Sequence, residues 1–128
     1  MQLTNPYQQY HDNAILTADQ GRLALFLFEG AARFARQAAG HIEGHDISAA
    51  HHALVRAQDI VEYLASTVNT EIEVGQNLAA LYDFIYRCLV EANISKDTGL
   101  IKEAVSFLDQ LRDTWREALN GKGLEGEA

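Results

Sequence analysis

Residues 46–68, DISAAHHALVRAQDIVEYLASTV, carry one continuous apolar stripe. Apolar side chains recur there at intervals of three and four residues, which is the spacing of one face of an α-helix. Asp46 precedes the first of them and is a favourable N-cap. The stretch therefore predicts an amphipathic helix of about six turns that buries one face. The stripe consists of Ile47, Ala50, Leu54, Ala57, Val61, Leu64 and Val68.

Residues 18–44, 71–93 and 97–119 repeat the same helical spacing of apolar side chains. The only proline is Pro6, and no segment alternates apolar and polar residues as a half-buried strand does. Short connections make consecutive helices antiparallel. The sequence predicts an all-α fold, an antiparallel up-down four-helix bundle. In its first helix the predicted inward stripe is Leu23, Phe26, Leu27, Gly30, Ala31, Phe34 and Ala38.

The two ends of the chain differ from these helical stretches. Near the N-terminus, Asn5 and Pro6 favour the start of a short helix that carries Tyr7 and Tyr10. The last nine residues are rich in glycine and glutamate and have no apolar pattern. We therefore expect a short helical segment within residues 1–16, the bundle in residues 17–119 and a flexible tail in residues 120–128.

Composition limits the classes of partner. Eighteen acidic residues against ten basic residues give the 128-residue chain a formal net charge of −8, which repels nucleic acid and anionic membranes. Cys88 is the only cysteine, and the N-terminus lacks the pattern of a signal peptide. No apolar run is long enough to span a membrane. We expect a cytoplasmic protein that binds neither nucleic acid nor membrane.

Residue types that carry catalysis or hold metals occur without the necessary spacing. His41 and His45 lie one helical turn apart, but no second ligand pair accompanies them. The chain contains no Glu-x-x-His pair of the kind that di-iron bundles use, no Gly-x-Ser-x-Gly turn and no glycine-rich phosphate loop. The sequence predicts no enzyme activity, no cofactor and no metal.

His52 leaves one alternative open. It points away from the apolar stripe of its helix, and Ala50–Arg56 loosely resembles the pattern around the phosphorylated histidine of phosphotransfer bundles. That pattern has a glycine one turn after the histidine, whereas this chain has Arg56, which would obstruct an approaching receiver domain. A phosphotransfer bundle that relays a phosphoryl group through His52 is the second hypothesis.

The predicted helices carry more apolar residues than one bundle core can cover. The simpler interpretation is a wider core, or single apolar residues scattered over the surface. Together they favour a groove for a partner, over which the N-terminal segment with Tyr7 and Tyr10 would form a removable lid. The additional apolar residues are Leu25, Phe28, Val55, Tyr63, Phe84, Tyr86 and Val90.

A series of motifs resembles the flagellar secretion chaperone family FliS, from the N-terminal segment to the end of the fourth helix. The matching pieces occur in this order: Asn5-Pro6-Tyr7-x-x-Tyr10, Leu16-Thr17-Ala18, Gly30-Ala31 with Phe34, Ala57-Gln58-Asp59-Ile60, Asn77-Leu78-x-x-Leu81-Tyr82-Asp83 with Tyr86 and Arg87, Leu89-Val90-Glu91-Ala92-Asn93 and Leu111-Arg112-Asp113-Thr114-Trp115. The sequence departs mildly at Phe28-Glu29, where the family often has Tyr-Asp.

The resemblance implies a cytosolic chaperone that binds the C-terminal segment of flagellin, prevents premature polymerisation and keeps flagellin competent for type III secretion. It leaves open the flagellar export apparatus as a further partner. It also implies that the N-terminal segment covers part of the groove when flagellin is absent. The residues expected to bind the partner are Tyr7, Tyr10, Phe28, Gly30, Ala31, Phe34, Gln58, Asp59, Asn77, Leu78, Leu81, Tyr82 and Arg112; for the polar ones a structural role inside the bundle is at least as well supported.

Overall fold

A computed structural model describes residues 18–127 of the chain, and the side chains of residues 19–121. Four helices make up this part: α1 (Ala18–Glu43), α2 (Ile47–Ser66), α3 (Glu73–Ser95) and α4 (Thr98–Glu127). Among the described residues there is no strand. The predicted all-α fold is confirmed, and the first three helices end within about two residues of their predicted bounds, the usual spread between assignments.

Each helix packs against its neighbours in chain order, and α4 packs back against α1. The connections are residues 44–46, 67–72 and 96–97. Connections this short force consecutive helices to run in opposite directions. The result is a closed ring of four antiparallel helices, with α1 between α2 and α4. The predicted N-terminal helical segment, with Tyr7 and Tyr10, lies outside the described residues.

Local residue chemistry explains where the helices begin and end. Asp46 caps α2 as predicted, because its Oδ1 accepts a hydrogen bond from the backbone N–H of Ala49 at 3.1 Å. Lys96 ends α3 in the left-handed conformation, with φ of 55°. Gly75 lies in the first turn of α3, where a Cβ atom would fall 1.7 Å from the carbonyl oxygen of Asn69. Only glycine fits this approach between the α2–α3 connection and α3.

The core combines small residues on α1 and α2 with large ones on α3 and α4. Alanines allow the first two helices to approach closely, since interaxial distance depends on the side chains at the contact. Phe28 of α1 fills the space beside Trp115 of α4, with ring centroids 5.0 Å apart and an edge-to-face angle of 81°. The buried alanines of the two helices are Ala31, Ala32, Ala35, Ala38, Ala50, Ala53 and Ala57.

The predicted inward stripe of α1 is wrong at its N-terminal end, whereas Ala31 and Ala38 are buried as predicted. Leu23 and Phe26, predicted to face the core, are 45% and 63% exposed, whereas Phe28 is completely buried. The run from Leu23 to Phe28 gives α1 two apolar faces about 100° apart, because each residue turns the helix by that angle. The face that continues into the alanine positions packs inward, since it allows both neighbouring helices to approach α1.

Two further differences concern helix ends. The α4 helix continues to Glu127, although the sequence predicts its end at 119 and a flexible tail in residues 120–128. Glycine lowers helix propensity by about 1 kcal/mol but does not block the helical conformation, and no proline follows to stop it. Ile47, the first residue of α2, is half exposed because the stripe begins before the packed part of the bundle. None of the described helices is both long and apolar enough to cross a membrane.

Candidate partner-binding site

An apolar surface lies along the outer side of the α1–α2 contact; we call it the α1–α2 groove. It runs from Leu23, Phe26 and Tyr63 to Phe34. The first two residues come from the α1 face that the core leaves free, and half of the Tyr63 side chain is exposed on α2. Large apolar side chains that are adjacent and exposed are typical of a binding surface, whereas scattered ones are not.

A pocket of about 200 Å³ opens at one end of this groove. It lies where α1 begins and α2 ends, and side chains of α3 and α4 form its base. Apolar side chains dominate the wall, and Gln20 and Thr67 supply polar groups. A pocket of this composition accepts an apolar side chain of a partner. The lining residues are Gln20, Leu23, Ala24, Leu27, Tyr63, Leu64, Thr67, Val68, Leu78, Tyr82 and Trp115.

Gly30 lies in the middle of the groove, where α1 and α2 meet. A Cβ atom at this position would lie 3.5 Å from Ile60 Cδ1, an ordinary van der Waals contact, and 3.8 Å from a guanidinium nitrogen of Arg33. Alanine therefore fits, but any longer side chain would have to displace Ile60 or Arg33. The missing side chain keeps the floor of the groove low between Leu27 and Phe34.

Phe34 forms the far end of the apolar surface, and two arginines flank its ring. The guanidinium carbon of Arg33 lies 5.8 Å from the ring centroid, and that of Arg56 of α2 lies 5.7 Å from it. Both distances are within the range of cation–π attraction. One positive charge from α1 and one from α2 therefore lie beside the same aromatic ring.

Four predicted partner-binding residues are part of the bundle core. Phe28 and Ala31 are fully buried, and Leu78 and Tyr82 are almost so. Leu78 and Tyr82 nevertheless reach the pocket wall with part of their side chains. Phe28 and Ala31 therefore shape the groove from below, while Leu78 and Tyr82 can contact a side chain that enters the pocket.

The polar candidates do not form one cluster. Gln58 of α2 donates a hydrogen bond from Nε2 to the carbonyl oxygen of Leu89 at 3.4 Å, so it connects α2 to α3. Asp59 and Asn77 are exposed, and Leu81 is half-buried on the same helix as Asn77. For Gln58, this contact supports the structural role that the sequence left open.

Arg112 is occupied on its own helix. It contacts Asp113 at 2.9 Å and Asp109 at 3.3 Å. The hydrogen bond to Asp113 raises the pKa of Arg112, and the same bond lowers the pKa of the Asp113 carboxyl group. Binding a partner through Arg112 would therefore first require these α4 contacts to loosen.

The family model of the flagellar protein FliS matches residues 3–122. This chain belongs to the FliS family. A flagellar secretion chaperone FliS of Bacillus subtilis (strain 168) is 38% identical over 122 residues, which cover 95% of this chain and 92% of the relative. The FliS of Escherichia coli (strain K12) is 26% identical over 111 residues, covering 84% and 82%. That of Salmonella typhimurium is 29% identical over 109 residues, covering 83% and 81%.

Membership of the FliS family confirms the resemblance found in the sequence and favours a flagellar export chaperone over a phosphotransfer bundle. FliS is a chaperone family and not an enzyme family.

His52 is exposed, its Nδ1 is 2.8 Å from the carbonyl oxygen of Ser48, and Arg56 lies one turn further along the helix. Within the described residues, no three side chains of the metal-binding types lie together. Burial raises the pKa of the Cys88 thiol, which disfavours the reactive thiolate.

The sequence did not single out Arg33 of the groove as a site residue, and it named Arg56 only as an obstacle beside His52. Their shared contact with Phe34 depends on how α1 is rotated against α2, which no single-helix pattern reveals. The sequence did contain a signal that Leu23 and Phe26 are exposed. Alanine positions on the other face of α1 indicate where neighbouring helices approach closely.

Proposed function

We propose that this FliS-family chain is a cytoplasmic export chaperone that binds the C-terminal segment of flagellin along the α1–α2 groove. Bound flagellin would neither polymerise early nor lose its competence for type III secretion. The observation that carries the proposal is the exposed apolar surface of Leu23, Phe26 and Tyr63, with its adjoining pocket, in a family of flagellar secretion chaperones.

The physical argument concerns how a disordered segment is held. A segment that polymerises through amphipathic helices exposes apolar side chains when it is alone. An apolar groove between two helices covers these side chains and lets the segment fold as it binds. Folding on binding costs part of the interaction energy, so the complex remains releasable. Release toward the export apparatus is the second contact that we propose.

Calorimetric titration of full-length protein with the C-terminal segment of flagellin from the same organism tests the function. We expect one-to-one binding with a negative heat-capacity change, the signature of buried apolar surface. In a filament-assembly assay, equimolar protein should hold flagellin monomeric. An N-terminal flagellin segment of matched length is the control. Equal binding of both segments, or no binding of either, would contradict the proposal.

We further propose that residues 1–16 are a lid over the pocket. The chain enters α1 at Ala18, and the pocket wall begins at Gln20, so the segment is tethered beside the pocket at high effective concentration. Competition from a tethered lid lowers the apparent affinity by the fraction of open molecules. Tyr7 and Tyr10 would be its apolar contacts.

The lid predicts a change in hydrogen exchange. Amides in residues 5–16 should exchange faster once the flagellin segment is bound, because the segment displaces them. Deleting residues 1–16 should raise the affinity by a few-fold, although the exposed pocket would also favour self-association. Unchanged or slower exchange in residues 5–16 would show that they do not cover the groove.

A further inference from the structure

The arginines of the described chain divide into two groups. Five of the seven form an ion pair with an aspartate or glutamate; Arg33 and Arg56 form none with the acidic residues that the structure describes. Glu29, one turn before Arg33, is paired with Arg116 of α4. The five pairs are Arg22–Asp19, Arg36–Asp109, Arg87–Asp83, Arg112–Asp113 and Arg116–Glu29.

Two guanidinium groups lie beside one ring, and no negative charge among the described residues pairs with them. Each cation–π contact at an exposed site is weak, and the two like charges repel each other. The chain as a whole carries eight excess negative charges, yet none of its described carboxylates joins these two arginines. A carboxylate supplied from outside would balance this positive charge.

The position of the pair within the groove limits what can deliver this carboxylate. Phe34 lies 11 residues after Leu23, which is about 16 Å along α1 at the helical rise. Beyond Phe34 the same face of α1 continues to its end at Glu43 with Gln37 and His41 in place of large apolar residues. A chain bound in the groove thus has room to continue past the two arginines, so its terminus need not lie there.

We propose that Arg33 and Arg56 form a carboxylate-binding site for an aspartate or glutamate side chain of the segment that occupies the α1–α2 groove. This inference rests on the proposed function and specifies the chemistry of the partner at one position. The acidic residue would lie about three helical turns from the apolar side chain that enters the pocket.

Arginine suits this role better than lysine does. Its planar guanidinium presents paired N–H donors that match the two oxygens of a carboxylate, and such charge-assisted bonds are about twice as strong as neutral ones. Both guanidinium groups already lie against the Phe34 ring, which reduces the side-chain freedom that binding would have to remove. Because one arginine comes from each helix, the carboxylate would fix the register of the segment along the groove.

Charge-removing variants test the site. Arg33→Gln and Arg56→Gln should each weaken binding of the flagellin C-terminal segment about tenfold, which corresponds to about 1.4 kcal/mol. Arg33→Lys should lose only part of this affinity, because lysine keeps the positive charge but lacks the paired N–H donors of a guanidinium group. Arg87→Gln is the matched control: it makes the same change in net charge at an exposed, ion-paired arginine on α3, and it should leave the affinity unchanged. Thermal unfolding of each variant verifies that the fold is intact.

Changes in the peptide identify the carboxylate. Replacing its acidic residues one at a time by Asn or Gln should reveal one position whose loss weakens binding to the wild-type protein but not to Arg33→Gln or Arg56→Gln. If amidation of the peptide's C-terminus, and not replacement of an acidic side chain, weakens binding only to the wild-type protein, the ligand is the terminal carboxylate. That result would overturn the side-chain proposal. If the peptide binds and the two variants behave like Arg87→Gln, this inference fails while the proposed function stands; if the peptide does not bind at all, both fail.

Discussion

Replacing Phe28 by alanine is expected to lower the free energy of unfolding by about 3–5 kcal/mol. The side chain is completely buried, and its ring lies 5.0 Å from that of Trp115 and 6.4 Å from that of Tyr82. Truncation removes the favourable burial of the ring and leaves a cavity between three helices. The surrounding side chains relax only partly into such a cavity. A loss this large is a substantial fraction of the stability of a domain of this size.

Phe26→Ala is the matched control for this prediction. It removes the same side chain from the same helix, but at a position that is 63% exposed, so the free energy of unfolding should change by about 0.5 kcal/mol or less. Urea unfolding followed by circular dichroism measures both variants. A larger loss at Phe26 than at Phe28 would mean that Phe26 faces the core, as the sequence predicts, and would contradict the structure.

The pair also shows how far the sequence determines this fold. Periodicity along α2, α3 and α4 was sufficient, because the main apolar stripe of each helix contains most of its buried residues, such as Leu54, Ile85 and Leu108. In α1 two faces satisfy the same rule. The choice between them depends on the surface that α2 and α4 present, which is a property of the assembled bundle and not of one helix.

The candidate site was predictable to a smaller degree. A surplus of apolar residues predicted a groove, but of those residues only Tyr63 lies along it, and the others, such as Phe28, are buried or half-buried. The family motifs indicated Gly30 and Phe34. Polar motif residues were ambiguous, because Gln58 bonds inside the bundle while Asp59, the next residue, is exposed. The pairing of Arg33 with Arg56 depends on two helices lying side by side at a particular rotation. Sequence spacing carries no information of this kind.

Replacing both Leu23 and Phe26 by glutamine is expected to weaken binding of the flagellin C-terminal segment by about a hundredfold, or about 2.7 kcal/mol. These two side chains are exposed in the free protein and lie on the face of α1 that forms the groove. Each therefore has apolar area to lose to a partner, at about 25 cal/mol per Å² removed from water. Glutamine keeps helix propensity and leaves the net charge unchanged, so helix stability and long-range electrostatics stay constant.

Ile94→Gln separates loss of the groove from a general loss of surface hydrophobicity. Ile94 is 80% exposed near the end of α3, so its replacement removes a comparable apolar group away from the groove. Affinity should then stay within about twofold, since a side chain outside the contact contributes little. Calorimetry with the same peptide measures all three proteins. If Ile94→Gln weakens binding and the double variant does not, the partner occupies the face of α3 and the α1–α2 groove is not its site.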